Sequence, residues 1–307
     1  MKRVAVTGAT GAIGMALIQK CITEQVEVWV FCRKDSERIN CIPRHPLVHL
    51  TECSLDGIKE LSAEKIPGCE VFYHFAWAST IGAGRNDVYL QLKNVEYTLD
   101  AVHLAKRIGC ETFIGAGSQA EYGRHENLLT PDTPAFPENG YGMAKLCAGQ
   151  MSRLECKKLG MRHIWTRILS VYGPYDGQAT MISMLIRKLL NEERPLLTKG
   201  EQQWDYLYSQ DAAEALFSLG LKGKEDKVYC VGSGKTAPLC EYMEKVRRAV
   251  NPAAELGIGE VPYTPNQVMF LGADISELIR DTGFQPDTEF DEGIRKTVQW
   301  FRKQEGL

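Results

Sequence analysis

Val4-Ala5-Val6-Thr7-Gly8-Ala9-Thr10-Gly11-Ala12-Ile13-Gly14 joins a short β-branched run to three glycines, and these run on to the apolar positions Met15, Leu17 and Ile18. The pattern reads as a strand, a tight turn and the start of a helix. In such a unit the first glycine permits the turn, and the second lets backbone N–H groups approach a pyrophosphate. The third lets helix and strand pack with no Cβ between them. An anion held there sits on the positive end of the helix dipole. A glycine-rich turn also serves as a plain strand-to-helix connection, so the rest of the chain has to decide.

The chain has 307 residues, enough for one large core or for a core domain with a smaller second lobe. A formal net charge of −3 gives no basic field for nucleic acid, so no nucleic-acid partner is expected. Ten cysteines are scattered with no C-x-x-C, which argues against a structural zinc site, any other metal, or a disulfide framework. Reduced thiols suit a cytoplasmic protein. The sequence has no apolar run of about 18 residues and begins directly on a strand, so neither a membrane partner nor a signal peptide is expected.

After the turn, a helix to about Glu24 and a second, alternating strand from Val26 to Phe31 make a parallel βαβ unit. An Asp or Glu at the tip of the second strand would hold the ribose of NAD, whereas a nearby Arg accommodates the extra phosphate of NADP. The tip reads Cys32-Arg33-Lys34, two cations that serve either NADP or merely solvent. Val48–Leu50 and Val71–Trp77 read as further strands, the second a continuous apolar run of the buried parallel kind. Asp87–Ile108 has helical spacing and stops at Gly109, and within it Asn94 is either a surface residue or part of a hydrogen-bond network. A fifth strand, Glu111–Ala116, delivers Ser118 to its carboxyl end, where ligands of open α/β sheets bind. Tyr141 and Lys145, four apart on the next helix, share a face. A cation close to a phenol lowers its pKa from about 10 toward the range where proton transfer is efficient. Tyr141 would then be the acid/base, Lys145 its tuner, and Ser118 a hydrogen-bond partner of the same substrate oxygen. His74 reads as a core residue, and Gly232-Ser233-Gly234-Lys235-Thr236 as a surface turn lacking the first glycine of a P-loop.

The glycine turn, Ser118, Tyr141-Gly142-Met143-Ala144-Lys145 and Arg167-Ile168-Leu169-Ser170-Val171-Tyr172-Gly173-Pro174 together resemble the extended short-chain dehydrogenase/reductase family of nucleotide-sugar epimerases, dehydratases and reductases. The resemblance implies cofactor contacts at Gly8, Thr10, Gly11, Ala12, Ile13, Arg33, Lys34, Ser54, Leu55, Phe75 and Ala76, besides Tyr141 and Lys145, with Lys145 on the nicotinamide ribose. It places Asn94 in the catalytic network and Ser118, Gln119, Tyr141, Ser170 and Trp204 around the substrate. It also implies a homodimer through the helices carrying Asn94 and Tyr141. Five departures bear on specificity. Ser54 stands where an Asp usually meets the adenine, and Trp77 replaces an alanine, so the loop from Trp77 to Arg85 is expected to be shaped differently. Ser118-Gln119-Ala120 lacks the Asp-Glu pair of the 4,6-dehydratases. Ser170 and Trp204 replace the Asn and Arg that usually contact the diphosphate.

The fold expected is a Rossmann-type doubly wound parallel sheet with a smaller, mostly C-terminal α/β substrate lobe. The sheet domain would take residues 1–166 plus about 205–230, and the lobe about 167–204 plus 231–307. The activity expected is NADPH-dependent 4-ketoreduction of a nucleotide-activated sugar. The alternatives are a 4-epimerase with retained NAD, or a non-catalytic dinucleotide sensor.

Overall fold

The computed structural model describes residues 1–64 and 66–306. Its centre is a parallel sheet of seven strands: β1 (Arg3–Thr7), β2 (Glu27–Cys32), β3 (Val48–Glu52), β4 (Val71–His74), β5 (Thr112–Ser118), β6 (Arg162–Ile168) and the late strand Lys227–Val231. From one edge the order is Lys227–Val231, β6, β5, β4, β1, β2, β3, so the direction of winding reverses between β1 and β4. That reversal opens a crevice beyond the strands' carboxyl ends, the general ligand position in such sheets.

Helix α1 (Ala12–Thr23) and helix α5 (Ser209–Lys222) cover one face of the sheet, and α2 (Val88–Arg107) with α3 (Gly140–Lys158) covers the other. With both faces covered, β1, β4, β5 and β6 are buried along almost their whole length. The expected alternation of the second strand is therefore absent, since Val28, Trp29, Val30 and Phe31 are all buried. Leu17 and Ile18 on α1 have no exposed surface, and each contributes about 1.5–3 kcal/mol of burial that holds the glycine turn against β1.

The second lobe has its own core. Tyr172 of the short strand β7 (Ser170–Tyr172), Tyr208 and Phe290 pack with α4 (Met181–Leu190), α6 (Leu239–Val250) and, past the short α7 (Ser276–Thr282), α8 (Phe290–Glu305). β7 pairs in parallel with Tyr206–Tyr208, which brings Trp204 back beside the end of β6. The Gly232–Thr236 segment, expected as a surface turn, bends at Gly232 and Gly234, with Gly232 buried and Gly234 and Lys235 exposed. The buried Asp205 carboxylate accepts the N–H groups of Ser233 at 2.8 Å and Gly234 at 3.1 Å.

Candidate active site

The three glycines of the first turn do different work. Gly8 adopts φ +72°, and a Cβ there would lie 2.5 Å from the Ala76 nitrogen at the exit of β4. A Cβ on Gly14 would lie 2.4 Å from the Gly8 carbonyl oxygen. Both are therefore explained by packing within the chain. Gly11 is not, because a Cβ there meets only the Gly8 oxygen, at 3.8 Å. Gly11 is also the N-cap of α1 and makes no side-chain cap, so N–H groups of the first helical turn face an open crevice. This donor set fits a dinucleotide pyrophosphate.

On one side of the turn lies a cavity of about 710 Å³ lined by Gly8, Thr10, Gly11, Ser54, Leu55 and Arg33, with Phe75 and Ala76 at the β4 end. Arg33 reaches it while pairing at 3.7 Å with Asp35. Lys34 does not line it; it borders a shallow outer depression with Glu52 and Glu60. Of the two tip cations, only Arg33 lines this cavity.

On the other side a chamber of about 560 Å³, which shares Gly8, Gly11, Phe75 and Trp77 with the first as lining, brings Ala12, Ile13, Ser118, Tyr141, Lys145, Ser170 and Trp204 together. Gln119 is not among the lining residues; it opens the single 3-10 turn after β5. Ser118 is the N-cap of that turn, its Oγ accepting from the Ala120 N–H at 3.2 Å. Glu121 closes the capping box from behind. Its Oε1 accepts the Ser118 N–H at 2.8 Å and the Trp165 indole N–H at 3.0 Å, and its Oε2 accepts from Arg167 Nε at 2.8 Å. The Trp165 ring fits only because Gly115, Gly117 and Gly149 carry no Cβ, which would each lie within 2.2–2.7 Å of it.

Tyr141 sits in the first turn of α3, capped by Asn139, whose Oδ1 accepts from the Gly142 N–H at 2.9 Å. The glycines on either side of it admit two loops. A Cβ on Gly140 would lie 2.9 Å from the Arg85 carbonyl oxygen, and one on Gly142 would lie 2.2 Å from that of Ala120. The phenol ring meets the edge of Trp77 with centroids 6.0 Å apart, and the Arg85 guanidinium lies 4.4 Å from its centroid. Burial raises the Tyr141 pKa above that of a free phenol, while Ser118 and Arg85 act in the opposite direction. The Lys145 ammonium is 5.8 Å from the ring centroid. It donates instead to the Ala116 carbonyl at 2.6 Å and lies 3.7 Å from the centroid of the Trp77 ring. Burial lowers its pKa to about 7. In this geometry Arg85, rather than the expected Lys145, is the cation laid against the phenol.

Asn94 is buried but lines neither cavity. Its Oδ1 accepts from the Ala78 N–H at 2.8 Å and its Nδ2 donates to the Ala78 oxygen at 3.0 Å, so it fastens the loop that carries Trp77 instead of touching the phenol. His74 is a core residue as expected, bonded to Thr7 Oγ1 at 2.9 Å, and burial holds its pKa down to about 3. On the substrate side the two departures from the family pattern meet, with Trp204 Nε1 donating to Ser170 Oγ at 2.8 Å. Asp176 also lines the chamber, its pKa pushed up to about 6 by burial. Arg85 and Glu121 escape the sequence reading of the site, which marks Trp77 only as a departure that reshapes its loop. The glycines flanking Tyr141 and those alternating along β5 are the signals that point to them.

Residues 4–232 match the NAD dependent epimerase/dehydratase family. A dTDP-4-dehydro-6-deoxyglucose reductase of Escherichia coli is 26% identical, the alignment covering 97% of each chain. Among solved structures, a UDP-N-acetylglucosamine 4-epimerase from Methanobrevibacter ruminantium M1 superposes with a TM-score of 0.88 at 22% identity, covering 99% of both chains. A UDP-glucose 4-epimerase from Thermus thermophilus, in complex with NAD, superposes at 0.85 and 22% identity over 98% of this chain and 99% of its own.

Proposed function

The chain belongs to the NAD-dependent epimerase/dehydratase family, and on that premise we propose that it is a ketoreductase which, with NADPH, converts a C4 ketone of a nucleotide-activated sugar to the alcohol. The observation that carries the proposal is the convergence of Ser118, Tyr141 and Lys145 on one chamber beside the Gly11 turn. Burial raises the Tyr141 pKa further above neutrality, which suits a phenol that gives its proton to a carbonyl oxygen. NADPH is favoured over NADH because Arg33, a cation, stands at the end of β2 where NAD binders carry a carboxylate. A reductase is among the relatives similar along nearly the whole of both chains.

The dinucleotide, when bound across Gly8–Ile13, supplies the hydride. The Ser118 hydroxyl and the Tyr141 phenol hold the carbonyl oxygen between them, and Tyr141 passes its proton to that oxygen as negative charge develops there. Lys145 would hold the nicotinamide ribose, while the cation nearer the phenol is Arg85, 4.4 Å from the ring centroid against 5.8 Å for Lys145. Trp77 packs against both the Tyr141 ring and the Lys145 ammonium.

The test is NADPH consumption by the purified protein with dTDP-4-dehydro-6-deoxyglucose. Stoichiometric oxidation supports the reading, and Tyr141→Phe should slow it by about 10²–10⁴-fold with NADPH affinity kept. Turnover in that variant equal to wild type overturns the mechanism. Dinucleotide that co-purifies and undergoes no net redox change, with the sugar inverted at C4, would instead identify an epimerase using the same residues.

The sheet domain is taken as residues 1–166 plus about 205–230 and the substrate lobe as the remainder. A homodimer is inferred through α2 and α3, whose outer faces expose Tyr89, Leu92, Met143 and Leu154. Cytoplasmic residence is inferred from ten free cysteines. Among the described residues no helix is long and apolar enough to cross a membrane.

A further inference from the structure

The loop between β4 and α2 is built to place one side chain. Gln91, buried in the first turns of α2, donates through Nε2 to the Gly84 oxygen at 2.8 Å and the Ser79 oxygen at 3.1 Å. Its Oε1 accepts from the Trp77 indole at 2.9 Å. Asn94 holds Ala78 by both its oxygen and its nitrogen. At the far end, Asn86 Oδ1 accepts the Gly140 N–H at 3.0 Å, and the missing Cβ of Gly140 leaves room for the Arg85 carbonyl. The loop is thereby tied to α2 on one side and to the residue before Tyr141 on the other. What this frame presents is the Arg85 guanidinium, 4.4 Å from the centre of the Tyr141 ring, with Nη1 donating to the Thr80 oxygen at 2.7 Å. Among the described residues no carboxylate pairs with it. A permanent cation on the face of a phenol gains more from the phenolate than from the neutral ring.

We propose that Arg85 is a positioning residue for Tyr141, which packs the ring in place and stabilises its deprotonated form, so that the phenol gives up its proton more readily than its burial alone would allow. The inference rests on the reading of Tyr141 as the proton donor. The groups facing the phenol from the elements packed around it assign the effect to Arg85. From α3 comes Lys145, 5.8 Å away and engaged with Ala116 and Trp77. From the turn after β5 come the neutral Ser118 and, behind it, the Glu121 carboxylate, which acts against ionisation. Across the chamber after β7 lies the Asp176 carboxyl, which lines the same space. Arg85 is the one cation in this set committed to the ring. It also bears on substrate choice, because loss of proton affinity at Tyr141 speeds transfer to weakly basic carbonyl oxygens.

The experiment reads the phenol directly. Full-length protein without cofactor, carrying 13Cζ-labelled tyrosine, is titrated by NMR to about pH 11, with the Tyr141 resonance identified by its loss in Tyr141→Phe. In Arg85→Met, which keeps an apolar stem over the ring, the midpoint should rise by about 1 pH unit or more. In Arg85→Lys it should remain near wild type. A wild-type resonance that titrates no earlier than that of Arg85→Met over this range overturns the proposal, as does a rise in Arg85→Lys equal to that in Arg85→Met. Neither substrate nor dinucleotide is present, so failure here leaves the hydride-transfer reading standing. Failure of the Tyr141→Phe turnover test would leave this titration interpretable.

Discussion

Glu121 has no exposed surface, and a carboxylate in that position persists only while its lone pairs are used. It uses them on the Ser118 N–H, the Trp165 indole and the Arg167 guanidinium, so that one buried ion pair fixes the backbone from which the Ser118 hydroxyl projects. Glu121→Gln keeps an oxygen for the first two donors but sets an amide N–H group against Arg167, leaving a buried cation uncompensated. The expected loss is about 3–5 kcal/mol of stability by urea unfolding. Glu121→Gln combined with Arg167→Met should recover a substantial part, because the penalty belongs to the unpaired charge and not to the missing pair. An unchanged unfolding midpoint in the single variant would show that the pair holds nothing.

At the scale of the turn between β1 and α1, the glycines separate stability from binding. Gly14→Ala drives a Cβ into the Gly8 carbonyl and Ala9, so the helix must lift from the strand and the melting temperature should fall by several degrees. The Cβ of Gly11→Val meets nothing closer than 3.8 Å within the chain, so its thermal stability should stay within about 1 kcal/mol of wild type while NADPH affinity drops at least tenfold. Equal affinity in Gly11→Val, by titration calorimetry, would remove the pyrophosphate from this turn. This unit is readable from sequence because strand, turn and helix are contiguous and each has a local signature. The Tyr141 and Lys145 spacing is readable for the same reason. Arg85 and Trp77 are not, since their role comes from a loop folding onto a helix more than fifty positions later, and nothing local in Gly82–Asn86 states where it will dock. Asn94 stands out for its place in a motif, yet whether an amide holds a loop or a ligand depends on what lies opposite it. The bond between Trp204 and Ser170 likewise joins two substitutions that look unrelated in the linear chain.

For the molecule as a whole, α2 and α3 lie side by side with Tyr89, Leu92, Met143, Met151 and Leu154 exposed along them, more apolar surface than a solitary subunit comfortably shows to water. Light scattering should therefore report twice the chain mass, and Leu92→Glu with Leu154→Glu should return the monomer; a wild-type monomer at micromolar concentration would dismiss the interface. A different consequence follows from the sheet order. The edge strand Lys227–Val231 and helix α5, whose Ala212, Leu216 and Leu219 cover the apolar side of α1, enter the chain only after a stretch of the other lobe has intervened. On the ribosome, then, the amino-terminal half emerges with the flank of its first helix uncovered and waits for that later segment to arrive. A nascent polypeptide halted before residue 209 would hold every member of the Ser118, Tyr141 and Lys145 set and still present bare hydrocarbon to the chaperones around it.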